Sequence, residues 1–332
     1  MTSAIRPPAA TDDLTIVVAG PRASQPQADA VTAAVAPAVG AIRPLVTVTH
    51  AMPAGPSVHA VVIVPSLPVT AADLAALPDL RMVCTASAGY DHVDLQAARG
   101  RGVAVARAVG NGSEEVADHI IALTLALLRG VANGDRAIRD GTWAPSGTGA
   151  RRVRGTRLGL VGFGRIGRFV ADRALGLGME VIVYTRTPPA DAPGVRVAAS
   201  LAALLRDSDV VVPCLPLTTE SQYLLDAQAL ALMPTGSFLV NCARGGLVDV
   251  TALDAALRAG RLGGAALDVF ESEPPSPDDP VRRLPRTILT PHSAWHSPES
   301  ALGAFTAAGT AIGAVLGAGS PNDMVEFLLP PT

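Results

Sequence analysis

The chain contains no lysine. All 26 of its basic residues are arginine, and its formal net charge is −3. Nowhere do those arginines form the long basic stripe that a binder of phosphodiester backbones needs, which argues against nucleic acid as a partner. Aromatic residues are scarce at 3%, although 49% of the sequence is hydrophobic and the mean hydropathy is positive. The core is therefore expected to be built from Ala, Val, Leu and Ile. Cysteine occurs only as Cys84, Cys214 and Cys242. Thiols so few and so far apart make neither a disulfide framework nor a zinc-ligand spacing, which fits a reducing cytoplasm and no bound metal. The opening MTSAIRPPAATDD lacks the apolar run of a signal peptide and reads as a frayed tail.

Long uncharged runs are also rare. The stretch ALGAFTAAGTAIGAVLGAGS, residues 301–320, spaces Gly309, Gly313 and Gly317 four apart, as a small-residue membrane interface does. So much Ala, Gly and Thr inserts poorly into lipid, and a tightly packed helix of a water-soluble fold is expected instead.

What the sequence does contain is alternation. LTIVVAG, PLVTVTH, VHAVVIV, RMVCTAS and GVAVAR read as buried strands separated by Ala/Leu-rich helical patterns. Near-continuous apolar runs of this kind suit a parallel sheet covered on both faces. SEEVADHIIALTLALLRGV then reads as a long helix, with Ser113 as N-cap and Glu114 and Glu115 in its first turn. After a loop rich in Gly, Pro and Arg comes a second series of strands: TRLGLVG, EVIVYT, DVVVPCL, GSFLVNC, GGAALDVF and RTILTPH. A chain of 332 residues accommodates two such α/β domains, each a doubly wound parallel sheet. Right-handed crossovers place the loops after the strands along one edge, where chemistry is expected.

Within that second series, RLGLVGFGRIGRF sets Gly162, Gly164 and Gly167, with Arg165 and Ile166 between them, at a strand-to-helix turn. The first glycine permits the turn, the second admits a pyrophosphate to the backbone, and the third lets the helix pack on the strand. Dinucleotide binding follows. The next strand ends in Tyr184, Thr185, Arg186 and Thr187, where such a site usually carries an acid for the adenosine ribose. Thr185 removes the charge that would repel a 2′-phosphate, Arg186 offers a planar multi-donor guanidinium, and Thr187 adds a hydroxyl. NADP is therefore expected as the preferred cofactor over NAD.

Three ionisable residues end successive strands: Arg244 in LVNCARGGLVD, Glu273 in ALDVFESEPP and His292 in ILTPHSAWHS. Each alone reads as a surface cap, a loop charge or a half-buried ring. Together on one edge, beside a nicotinamide site, they suggest hydride-transfer chemistry.

GFGRIG, VNCARGGLVD, GAALDVFESEP and TPHSAW closely resemble the signature blocks of the D-2-hydroxyacid dehydrogenases. TASAGYDHVDL, GVAV and EEVADHIIALTLALLR extend the resemblance over residues 80–300. The family includes glyoxylate/hydroxypyruvate reductases, phosphoglycerate dehydrogenases and phosphite dehydrogenases, and some details resemble its C-terminal-binding-protein branch. The resemblance implies that Arg244 grips the substrate carboxylate and polarises the carbonyl. It makes His292 the acid/base and Glu273, rather than Glu271, the carboxylate that orients the ring and raises its pKa. Ala88 and Gly89 match the loop whose amides cradle the carboxylate, flanked by Ser87 and Tyr90. Leu215, Pro216 and Ser221 match the segment lining the adenosine; Cys242 and Ala243 lie beside the nicotinamide, and Asp268 is the acid near its carboxamide. Cys214 stands where many members have His, and Trp295 reads as packing.

The family also implies a Rossmann dinucleotide-binding domain at 109–296 and a discontinuous, flavodoxin-like substrate domain at 1–108 and 297–332. The chain then crosses twice, and the site lies in a cleft able to close. Family members are commonly homodimers, with the arm around Trp143 and helix 115–130 as the expected contact. The implied activity is NAD(P)H-dependent reduction of a small 2-oxo acid to the D-2-hydroxy acid, with a glyoxylate- or hydroxypyruvate-like substrate. The alternatives are a nucleotide-sensing, corepressor-like regulator on the same fold, and phosphite oxidation. Formate oxidation is disfavoured by Glu273, because that subgroup pairs Gln with its His.

Overall fold

The computed structural model describes residues 14–329 except 22, 41, 43, 65–66, 188–190 and 318–324. The N-terminal tail at 1–13, the prolines after Thr187 and the last three residues of the glycine-rich stretch lie outside the described residues.

Aliphatic, β-branched runs form the strands, as period and propensity dictate. In chain order these are β1 (Leu14–Ala19), β2 (Pro44–Thr49), β3 (Ala60–Ile63), β4 (Met82–Thr85), β5 (Ala104–Ala108), β6 (Arg157–Val161) and β7 (Glu180–Tyr184). They continue as β8 (Val195–Val197), β9 (Val210–Pro213), β10 (Phe238–Asn241), β11 (Gly264–Leu267), β12 (Thr287–Leu289) and β13 (Val325–Leu329). They form two sheets, and the chain divides into two units: Met1–Gly112 with Ser297–Thr332, and Ser113–His296. The first crossing falls at 112/113, four residues later than the break after 108 that the sequence suggests, because Gly110 and Gly112 carry the chain on through positive φ before a helix begins.

In the discontinuous unit the sheet order is β2-β1-β3-β4-β5-β13. The first five strands are parallel in the flavodoxin-type order, and β13 closes the edge antiparallel to β5. β3 and β4 are wholly buried. β2, read from sequence as buried, is half-exposed instead, because it is an edge strand with one neighbour. Helix Pro298–Leu316 packs along helix Gln25–Val39 over one face of the sheet. Its glycines explain themselves there. A Cβ on Gly309 would stand 2.7 Å from the Ala34 Cβ and 2.8 Å from the Val31 carbonyl, and one on Gly313 would stand 2.8 Å from the Ala38 Cβ. By length and composition this helix could cross a membrane, but more than half of it is buried in the structure.

The second unit holds one parallel sheet in the order β8-β7-β6-β9-β10-β11-β12. Counted from β6, that is the Rossmann order extended by one strand. Two apolar layers, rich in Val, Leu and Ala, cover its faces. β8 and β13 carry no alternation strong enough to announce them, and both are added to sheets already formed. Helix Ser113–Leu128 begins at Ser113 itself, so this serine is helical rather than the N-cap, while Glu114 and Glu115 lie in the first turn as expected.

Candidate active site

All the strands of the second sheet run the same way, so their carboxyl ends form one edge, and six of them, β6, β7, β9, β10, β11 and β12, deliver site residues to it. β6 leads into Gly162, which has φ +99° and donates its amide to Tyr184 at 2.8 Å. A Cβ here would collide with the carbonyl of Cys214, so only glycine allows β6 to turn this close to the end of β9. Gly167 is similarly tight, 3.0 Å from the Gly162 carbonyl. Gly164 differs: it caps helix Arg165–Gly176 and faces open space, with nothing within 4 Å of a Cβ position. The first-turn amides of that helix lack intrahelical partners, and no acid occupies the turn. Open, positively polarised backbone of this kind fits the pyrophosphate of a dinucleotide.

β7 ends beside Thr185, whose hydroxyl donates to the Thr187 carbonyl at 3.3 Å, and Arg186 is exposed. Across from it lies a residue the sequence reading did not weigh. The carboxyl of Glu220 is held below its ordinary range by the Thr218 hydroxyl first and its own amide next, and the charge of Arg186 adds to this. After β9, the Ser221 hydroxyl donates to the Pro216 carbonyl at 2.8 Å and accepts the Thr218 amide at 2.7 Å, folding 215–221 into a tight turn. Burial pushes the Cys214 thiol up to about 12 and that of Cys242 well above its usual value, so both are neutral packing groups.

The turn that follows β10 carries Cys242, Ala243 and Arg244. Asn241 holds this turn, accepting the Ala243 amide at 3.0 Å and donating to the Arg244 carbonyl at 2.8 Å. The Arg244 guanidinium donates to the Ala243 carbonyl at 2.8 Å. Gly245 lies so tightly on the backbone of Phe270 and Glu271 that a Cβ would overlap it, which draws the arginine turn against the loop holding Glu273.

Glu273 and His292 form the centre. The Nδ1 of His292 stands 2.5 Å from one Glu273 oxygen, and the other oxygen accepts the Phe270 amide at 2.9 Å. Burial works against the charged carboxylate, but the His292 hydrogen bond, the Phe270 amide and the charges of His292 and Arg244 together hold it below the usual range. Arg244, Glu273 and His292 therefore share one electrostatic neighbourhood. With Nδ1 bound to the carboxylate, Nε2 is the nitrogen left to exchange a proton with a ligand.

His292 has φ +51°, an uncommon backbone for a non-glycine residue. Asp268, at the end of β11, holds it there. Its carbonyl accepts the His292 amide at 2.8 Å, and its wholly buried carboxylate accepts the amides of Ser293 and Ala294 at 2.9 Å each and the Thr290 hydroxyl at 2.6 Å. Asp268 is thus first of all the clamp of the His292 turn. Trp295 is a second fastening, donating its ring NH to the His292 carbonyl at 2.9 Å. Sequence reasoning missed His119, whose Nε2 lies 3.1 Å from the Thr290 hydroxyl and 3.7 Å from Asp268. Because the Thr290 proton goes to the carboxylate, Nε2 of His119 must be the protonated nitrogen. Its only signal was its place in the helix motif EEVADHII.

The loop 87–90 belongs to the other unit, at the end of β4. Ser87 donates to the Gly89 carbonyl and Thr85 to the Ser87 carbonyl, each at 2.9 Å.

A glycine turn on a Rossmann sheet, with an arginine and a Glu–His pair at its carboxyl edge, defines a nicotinamide-dinucleotide oxidoreductase. Residues 121–294 match the family model of the D-isomer specific 2-hydroxyacid dehydrogenase NAD binding domain. The chain is 36% identical over 250 residues to a D-3-phosphoglycerate dehydrogenase of Archaeoglobus fulgidus, covering 74% of this chain and 47% of that protein. It is 40% identical over 230 residues to an (S)-sulfolactate dehydrogenase of Chromohalobacter salexigens, covering 68% and 74%. A glyoxylate reductase of Korarchaeum cryptofilum is 40% identical over 240 residues, covering 70% and 72%. The chain spans about half the length of the phosphoglycerate dehydrogenase it matches. Among solved structures, an NAD-dependent formate dehydrogenase of Staphylococcus aureus in complex with NAD superposes with TM-score 0.83 at 26% identity, covering 96% of this chain and 100% of that one. The chain belongs to the D-isomer specific 2-hydroxyacid dehydrogenases, enzymes that act on CH–OH groups with a nicotinamide dinucleotide.

Proposed function

We propose that this enzyme reduces a small 2-oxo acid, of the glyoxylate or hydroxypyruvate kind, to the D-2-hydroxy acid, with NADPH preferred to NADH. The observation that carries the reading is the 2.5 Å Glu273–His292 pair, with the Arg244 charge beside it, on the sheet edge that bears the Gly162 turn. Similarity to glyoxylate reductase supports the substrate class. When bound, the nicotinamide supplies the hydride. Arg244 grips the substrate carboxylate and draws electron density from the adjacent carbonyl. His292 gives the proton on Nε2 to the carbonyl oxygen, or takes it back in oxidation. Glu273 keeps Nδ1 protonated and fixes the plane of the ring. In the other unit, the amides of Ala88 and Gly89, with Ser87 and Tyr90 as neighbours, are the substrate-binding groups.

On the cofactor side, Gly162, Gly164, Arg165, Ile166 and Gly167 hold the pyrophosphate. Leu215, Pro216 and Ser221 line the adenosine, and Cys242, Ala243 and Asp268 border the nicotinamide end. Thr185, Arg186 and Thr187 take the 2′-phosphate, and the nearby Glu220 moderates that preference rather than abolishing it. The three free cysteines, two of them buried, support work in a reducing, cytoplasmic setting. Exposed Val131, Ile138 and Trp143 support a homodimer joined through that arm. A panel of 2-oxo acids run with both reduced cofactors tests the reading. D-configured products and a higher kcat/KM with NADPH are expected. Equal kcat/KM with both cofactors removes the preference, and no turnover with any 2-oxo acid removes the function.

A further inference from the structure

Arg107 lies on β5 directly opposite Glu326 of β13 on one side and Thr85 of β4 on the other. Its guanidinium makes three different contacts. Nε and one terminal nitrogen donate to the same Glu326 oxygen at 3.2 and 2.7 Å. The other terminal nitrogen donates to the Ala88 carbonyl at 2.9 Å. The guanidinium carbon stands 5.1 Å from the centre of the Tyr90 ring. Two peptide planes of the loop are thereby fixed by donors to their carbonyls: Thr85 holds the Ser87 carbonyl, and Arg107 holds that of Ala88. In a trans peptide the carbonyl and the following N–H point in opposite directions. Pinning these two carbonyls therefore turns the amides of Ala88 and Gly89 away from the sheet, and among the described residues neither donates a hydrogen bond.

We propose that Arg107, locked in place by Glu326, is the positioning residue that presents the Ala88 and Gly89 amides to the carboxylate of a 2-oxo acid. The inference rests on the reading that this loop receives the substrate. The edge strand β13 then tunes substrate affinity through one cross-strand ion pair. Arginine is required for geometry: a lysine carries the same charge but cannot span a carboxylate, a carbonyl and a ring face at once.

The test uses the full chain with Arg107→Met, Arg107→Lys and Glu326→Ala. Arg107→Met is expected to raise KM for glyoxylate roughly tenfold, the loss of one charge-assisted hydrogen bond, with kcat within about twofold. Arg107→Lys should recover only part of this, and Glu326→Ala should add nothing to Arg107→Met in the double variant. The amide NMR resonances of Ala88 and Gly89 should shift in each variant, while NADPH binding measured by fluorescence stays unchanged. An unaltered KM and unaltered Ala88 and Gly89 resonances in Arg107→Met overturn the inference. So does a parallel loss of kcat, NADPH affinity and Tm, which marks general damage. Wild-type protein that reduces no 2-oxo acid overturns the functional reading itself, whereas failure of the brace alone leaves wild-type turnover intact and those resonances unmoved by the variants.

Discussion

At the scale of single residues, His292→Ala should lower kcat by roughly 10²–10⁴-fold, the range for a positioned proton donor, in stopped-flow reduction of glyoxylate. Glu273→Gln tests its partner in a different way. The Glu273 carboxyl is held below its ordinary range in the folded protein, so its share of stability is present above the unfolded carboxylate pKa and is lost as pH falls through the lowered value. Glu273→Gln should therefore lower the urea midpoint at neutral pH, where that share is lost, and flatten its further fall below about pH 4. Glu220→Gln removes the acid that faces Arg186, and it should widen the NADPH-over-NADH ratio of kcat/KM by a few-fold, as exposed charges do. The candidate residues Arg244, Glu273 and His292 stood out in the sequence because each is an ionisable side chain placed just beyond an apolar run. Glu220 and His119 did not, since a lone Glu in a loop and a lone His within a helix carry no periodic signal. Their meaning comes from Arg186, Thr290 and Asp268, distant in sequence and adjacent only after folding.

Among elements, the packing of helix Pro298–Leu316 on helix Gln25–Val39 makes the sharpest demand. Gly309 faces the Val31 carbonyl and the Ala34 methyl, both fixed by their own helix, so neither can yield as a flexible side chain would. Gly309→Val should cost about 1–3 kcal/mol by overpacking, read as a lower urea midpoint with an unchanged slope. The four-residue spacing of these glycines showed in the sequence that something packs closely, but not what. Both sheets were legible in kind because parallel strands buried on two faces read as unbroken aliphatic runs. β2, β8 and β13 were misread or missed for the converse reason: edge strands need burial on fewer sides, so their pattern is weaker. The N-terminus of helix Ser113–Leu128 shifted by one residue, as capping signals allow.

For the whole molecule, association is the property the sequence and structure bring within reach. Trp143 is 84% exposed, with Val131 at 59% and Ile138 at 57% on the preceding helix, an apolar display unusual for a lone subunit. Light scattering should give a dimer for the native chain and a monomer for Trp143→Glu, with the dinucleotide fold of each variant intact by circular dichroism. Division of the chain has another outcome. The unit Ser113–His296 is continuous, whereas its neighbour draws on both Met1–Gly112 and Ser297–Thr332. On the ribosome, the continuous half is therefore complete while the discontinuous one still waits for the helix that covers Val31 and Val35 and for the strand that closes its last edge. A nascent chain stalled just past His296 should thus show a protease-resistant second half attached to a first half that is still cleavable and sought out by chaperones.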